Sequence, residues 1–129
     1  MRRRRGREGG SAVVELALLL PILFLVLLAA VQVGLLARDQ LLLTQAARAG
    51  AREAAVELDE AAIRDAALRA APGLDGARVR IDVVREGSQG DAVSVAVAYE
   101  TAVAAPLAGW LLPASVELRA SATMRQEVP

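Results

Sequence analysis

The stretch LALLLPILFLVLLAAVQVGLLA, residues 16–37, decides how the rest of the chain is read. It holds 22 residues without a charge, and Gln32 is its only strongly polar side chain. As an α-helix it would be roughly 33 Å long at about 1.5 Å per residue, enough to cross the hydrocarbon core of a bilayer. A soluble helix this apolar needs a large domain around it, and a chain of 129 residues has none to offer. The stretch therefore reads as a membrane span. A cleaved secretory signal is the competing reading, but its apolar region is shorter, typically about 7–15 residues. Cleavage after Ala37 would also place Leu35 where a small side chain is wanted.

Charge orients the span. Arg2, Arg3, Arg4, Arg5 and Arg7 against Glu8 give the first ten residues +4, while ten arginines against fourteen acids give the remainder −4. A basic tip directly before an apolar run marks the cytoplasmic side, so the N-terminus is expected inside and the rest of the chain outside. The same placement makes the tip a topology signal rather than a nucleic-acid contact. Pro21 lies near the start of the span, where it removes one helical hydrogen bond and favours a bend.

Just upstream, EGGSAVVELALLLP carries a carboxylate at the edge of hydrocarbon. Taken alone, Glu15 fits an anion at the headgroup level near a helix N-terminus. Its setting offers a second reading: a basic leader, Gly10, Ser11 and three apolar residues, Glu15, then the long helix. This order resembles the processing site of type IV pilin-like proteins, which a prepilin-type peptidase cuts on the cytoplasmic side after the glycine. By that resemblance, cleavage after Gly10 makes Ser11 the new amino terminus and Glu15 its counter-charge. A paired carboxylate in low dielectric costs far less than an isolated one.

Residues Gly10, Ser11, Ala12, Val14, Glu15, Ala17 and Pro21, then Ala46, Ala47, Arg48, Gly50, Ala51 and Arg52, are similar to the pattern of the TadE family, pseudopilin-like proteins of tight-adherence (Flp-type) pilus systems. The resemblance covers roughly the first 55 residues. It implies a membrane-anchored, pilin-like component of a pilus assembly or secretion system. The implied partners are the lipid bilayer, a prepilin-type peptidase, and other pseudopilins, pilins or assembly-platform proteins. Leu16 departs from the major pilins of these systems, which carry an aromatic residue after the glutamate, and argues against a main filament subunit. A single-pass protein with an external ligand- or envelope-binding domain, unrelated to pili, is the alternative.

Beyond the span the helical pattern continues, so one helix is expected over residues 11–58, roughly 70 Å in length. Ala46, Gly50 and Ala54 form a stripe with almost no side-chain bulk, and Ala30 and Gly34 repeat that spacing within the span. Such spacing suits close lateral packing against a like helix, and also arises by chance in alanine-rich sequence. Arg48 and Arg52 fall on a neighbouring face, to meet acidic partners or water. Asp59 is placed to cap a second helix, EAAIRDAALRAA, which Pro72-Gly73 ends.

The period then changes from helical to alternating. Val79, Ile81 and Val83 alternate with charged residues, as Val93, Val95, Val97 and Tyr99 alternate with small ones; EGSQGD between them is a hairpin turn. Val116, Leu118, Ala120, Ala122 and Met124 mark a third strand. Leu107, Trp110, Leu111 and Leu112 form an apolar knot between two prolines, read as a lid over the small core or a partner anchor. The expected fold is α+β and pilin-like: residues 1–10 a basic leader, 11–58 the long helix, 59–129 a small extracytoplasmic domain with a short helix and three antiparallel strands.

Catalysis has little to work with. The chain has no His and no Cys, and its acids show no metal-ligand spacing. Neither a phosphate loop, a dinucleotide fingerprint nor a nucleophile elbow is present. No cofactor, metal or catalytic residue is expected.

Overall fold

The computed structural model describes residues 8–103 and 115–128, with side chains described from Gly10 onward. The basic tip, Arg2 to Arg7, and the apolar knot around Trp110 lie outside the described residues. The elements run α1 (Glu8–Val56), α2 (Glu60–Ala70), a 3-10 turn (Gly76–Arg78), β1 (Val79–Arg85), β2 (Ala92–Ala102) and β3 (Ser115–Arg125). An α+β fold with a three-stranded antiparallel sheet is what the alternating and helical periods predict. The chain divides into two compact units, the first ending at Gly34 and the second beginning at Leu35. Residues 35–56 of α1 thus fall in the second unit.

In the first unit α1 continues through Pro21. Its apolar side chains, from Val13 to Val33, are exposed around the whole helix. By length and composition α1 is able to cross a membrane, and its most apolar window is unburied. A surface of this kind is stable only where water is excluded.

The second unit has a core built almost wholly from alanine and valine. Leu43, Ala46, Ala47, Ala51, Ala54 and Ala55 line one face of α1 and are buried. They meet Ile63, Ala67 and Ala71 from α2 and its C-cap, and Val79, Val93, Val95, Val97 and Tyr99 from the sheet. β2 is the central strand, paired to both neighbours, with Ile81 opposite Val97 and Val97 opposite Ala120. It supplies the three deepest sheet positions, Val93, Val95 and Val97, together with buried Tyr99, while β1 adds buried Val79 and β3 contributes half-buried Leu118, Ala120 and Ala122. Met124 stays 37% exposed, because it lies at the sheet's outer end.

Two local devices fix the connections. The Asp59 carboxylate accepts from the Ala61 N–H at 3.1 Å and caps α2, as its position in the sequence predicts. In the β1–β2 turn, Gly90 takes φ 97°, a left-handed conformation that a side chain would strain. The Asp91 carboxylate closes that turn by accepting from the Ser88 N–H at 3.0 Å.

Candidate functional site

The structure places Gly10, Ser11 and Glu15 on the first two turns of α1, all exposed. The helix begins at Glu8, three residues earlier than the alternation of polar and apolar residues suggests. Gly10 is therefore helical, not extended. Two consecutive glycines in a first turn oppose helix by about 1 kcal/mol each relative to alanine. The first four N–H groups of any helix also lack intrahelical partners. Unwinding this turn into an extended strand is correspondingly cheap.

Space around the glycines separates packing from other uses. Among the described residues, a Cβ built on Gly10 meets nothing within 4 Å, and the same holds at Gly34. At Gly50 a Cβ would lie 3.1 Å from Val95 Cγ1 and 3.4 Å from Ala67 Cβ. Among the described residues, packing inside the chain thus presses on a side chain at position 50 and not at positions 10 or 34.

Glu15 stands one helical turn beyond Ser11. Among the described residues it forms no ion pair. An unpaired carboxylate at the start of an apolar helix is a ready acceptor for a cation brought from outside the chain.

The other packing residues part company. Ala46, Gly50 and Ala54 lie buried against α2 and β2 of their own chain, so their partner is the head's sheet and second helix in place of the like helix anticipated from their spacing. The physical reason is that small side chains let the α1 backbone approach the sheet closely, against the valines of β2. Ala30 and Gly34 remain exposed. Arg48 and Arg52 are exposed on the opposite side of α1 and, among the described residues, form no ion pair.

Arg85 was not singled out by sequence reasoning, yet it organises the end of α1. Its Nη1 donates to the Ala54 carbonyl at 2.7 Å and its Nη2 to the Glu57 carbonyl at 2.8 Å. Nη1 also reaches Gln126 Oε1 at 3.3 Å. The Ala55 carbonyl accepts from Glu127 N–H at 2.7 Å. α1 has no basic residue in its own last turn, so β1 supplies the cation that the negative end of the helix favours. The signal was present: Arg85 continues the inward period of Val79, Ile81 and Val83.

On the outer face of the sheet, Glu117 is hydrogen-bonded by Arg119 and lies 3.5 Å from Arg80. The hydrogen bond from Arg119 holds the Glu117 carboxyl below its usual range, helped by the charges of Arg119 and Arg80 and opposed by partial desolvation. The same bond raises the Arg119 guanidinium. Both groups are open to solvent, so the cluster is a solvated ion network.

Comparison with known proteins completes this picture. Residues 10–52 match the family model described as TadE-like protein. That segment begins at Gly10, includes Glu15 and the apolar run, and ends at Arg52. No curated protein and no solved structure matches the chain.

Proposed function

From the TadE-like segment at residues 10–52, we propose that this protein is a membrane-anchored, pseudopilin-like component of a tight-adherence (Flp-type) pilus assembly or secretion system. It acts by helix packing and protein–protein contact, not by catalysis. The arginine-rich tip stays in the cytoplasm and the α+β head lies on the opposite side of the membrane.

One observation carries the reading: among the described residues, Gly10 has no packing neighbour that excludes a side chain and Glu15, exposed at the start of the apolar helix five residues on, has no ion pair. A prepilin-type peptidase that cuts after Gly10 needs an extended strand there, and the glycine pair in a fraying first turn provides one. Cleavage frees an ammonium on Ser11. Glu15 of a neighbouring subunit neutralises that cation at the membrane face, where an uncompensated charge is costly.

The test is N-terminal sequencing of the protein purified from its own membranes. A start at Ser11 supports the processing reading. A start at Met1 sinks it, leaving Glu15 as an interfacial carboxylate on an uncut anchor.

A further inference from the structure

In the second unit, the head, no strand among the described residues pairs with the outer edge of β1 or of β3. Backbone hydrogen bonds show which groups line those edges. The Glu86 N–H donates to the Ala92 carbonyl at 3.0 Å, so in the same ladder Arg80, Asp82 and Val84 turn their backbone groups toward β2. Val79, Ile81, Val83 and Arg85 turn theirs outward. The Gln126 N–H donates to the Asp91 carbonyl at 2.8 Å, which likewise leaves Glu117, Arg119, Ser121, Thr123 and Arg125 on the outer edge of β3. Two side chains agree: Arg64 of α2 reaches the Val79 carbonyl and Gln40 of α1 the Arg119 carbonyl, both at outward positions. Each occupies one lone pair of a carbonyl that has two. Neither edge carries a proline or a bulge, devices that commonly blunt an edge strand.

The side chains beside the two edges are matched as well. On the inner face, Ile81 and Val83 of β1 and Leu118 and Ala120 of β3 pack against the core yet remain half-buried, whereas the valines of β2, flanked on both sides, are fully buried. On the outer face β1 presents Arg80, Asp82 and Val84, and β3 presents Glu117, Arg119 and Ser121, all exposed. β1 and β3 run in the same direction, since each is antiparallel to β2. The β3 edge of one head and the β1 edge of another are thus able to form a parallel pair that continues the sheet. In such a pair a residue turned toward the partner strand stands beside one turned away, so outer-face side chains meet outer-face side chains. One register sets Glu117 beside Arg80 of the next copy and Arg119 beside its Asp82. That register also sets Leu118 beside Ile81 and Ala120 beside Val83. The next permitted registers on either side bring Arg119 beside Arg80, or Glu117 beside Asp82, and like charges directly opposed are destabilising.

We propose that the β3 edge of each head pairs in parallel with the β1 edge of a second copy of this chain, in the register Glu117–Arg80 and Arg119–Asp82, so that anchored copies join into one continuous sheet. The pairing supplies about seven backbone hydrogen bonds. In water so few bonds hold two free domains only weakly, but copies tethered to one bilayer meet at a far higher effective concentration. Parallel pairing also gives every head the same chain direction, so residue 35, where each head begins, lies at one side of the assembly. An antiparallel β3–β3 pair would put those ends on opposite sides. Because the two edges differ, the contact is head-to-tail and extends into chains of copies in place of a closed dimer. The inference rests on both copies sharing a membrane and is independent of cleavage at Gly10 and of any role in pili.

The chain has no cysteine, so introduced ones report without background. Ser121 and Val84 are both exposed and stand side by side in this register. Neighbouring strands lie about 4.8 Å apart, within the roughly 4.4–6.8 Å that a disulfide spans between Cα atoms. Within one head β2 separates the two positions by roughly twice the strand spacing, too far to bridge. Full-length Ser121→Cys and Val84→Cys variants carrying different tags are expressed together, and their membranes are oxidised and run on non-reducing gels. The expected result is a heterodimer of the two tagged chains, weakened several-fold when the Val84→Cys chain also carries Asp82→Arg. A chain with both cysteines should give a ladder of multimers. A second pair, Thr123→Cys with Glu86→Cys, lies in the same register and reads the contact where the first pair disturbs the fold. Cross-linking of Ser121→Cys to itself at a comparable level would overturn the parallel register, because two β3 edges then meet. Absence of both heterodimers, with the urea unfolding of at least one pair unchanged from the parent, would overturn the pairing altogether.

Discussion

Replacing Arg85 by methionine isolates the clamp on the end of α1. Methionine keeps the inward apolar stem and deletes the guanidinium, so little packing volume is lost. The carbonyls concerned can be followed one by one. Glu53 keeps its bond from the Glu57 N–H, and Ala55 keeps its bonds from the tail. Ala54 and Glu57 lose the only partners described for them, at 2.7 and 2.8 Å. A hydrogen bond to a charged group contributes about 1.5–3 kcal/mol when dry. The Glu57 bond is exposed and the Ala54 bond partly buried, so each falls at or below the bottom of that range, about 1–1.5 kcal/mol, and the two together reach about 2–3 kcal/mol. Loss of a cation at the helix C-terminus contributes about 0.3–1 kcal/mol of this total. Arg85→Lys should retain one bond and cost about 1 kcal/mol. The assay is urea unfolding of the full-length protein in detergent, followed by far-ultraviolet circular dichroism. A methionine variant within about 0.5 kcal/mol of the parent would show that water replaces the clamp without loss, and the argument would fail.

Gly50→Ala should change stability by less than about 1 kcal/mol, because the gain in helix propensity is offset by the tight approach to Val95. Gly50→Leu should cost about 3 kcal/mol or more by driving α1 off the sheet; equal stability of the two variants in urea titration would refute the close approach. Gly10→Val should abolish any shortening of the N-terminus seen by intact mass measurement without altering head stability, since no neighbour among the described residues lies within 4 Å of that position. Glu117 has a lowered folded pKa, so its contribution to stability is present above the unfolded value and is lost as pH falls through the folded one. Glu117→Gln should therefore flatten the acid limb of stability between pH roughly 5 and roughly 3, an effect small enough to vanish in high salt. An unchanged acid limb at low salt would count against the ion network.

The architecture was legible wherever a period was long or an alternation strict. Asp59 before EAAIRD, the hairpin turn, and the inward valines of β2 all follow from local chemistry. The start of α1 was less legible, since Gly9 and Gly10 disfavour helix and only the continuing apolar helix behind them carries the first turn. Arg85 escaped because an arginine at the end of a strand reads as solvent-facing. Only the carbonyls of a distant helix end reveal its use. Sequence spacing also cannot say whether a stripe of small residues meets another chain or its own.

That last ambiguity bears on how the protein would assemble. Ala46, Gly50 and Ala54 are consumed inside the head, where α1 lies against Val95 and Ala67. They are not free to meet a second helix unless the head opens, which would expose the whole alanine–valine core. Of the two small-residue spacings, the one left exposed is in the first unit, at Ala30 and Gly34, and Gly34 has space for a side chain among the described residues. Gly34→Leu and Gly50→Leu then separate two roles that identical spacing conflates. The first should leave the head's unfolding in urea unchanged while weakening self-association or partner capture in membranes. The second should unfold the head. Loss of head stability from Gly34→Leu would break the distinction, because nothing among the described residues lies within 4 Å of that position to be displaced.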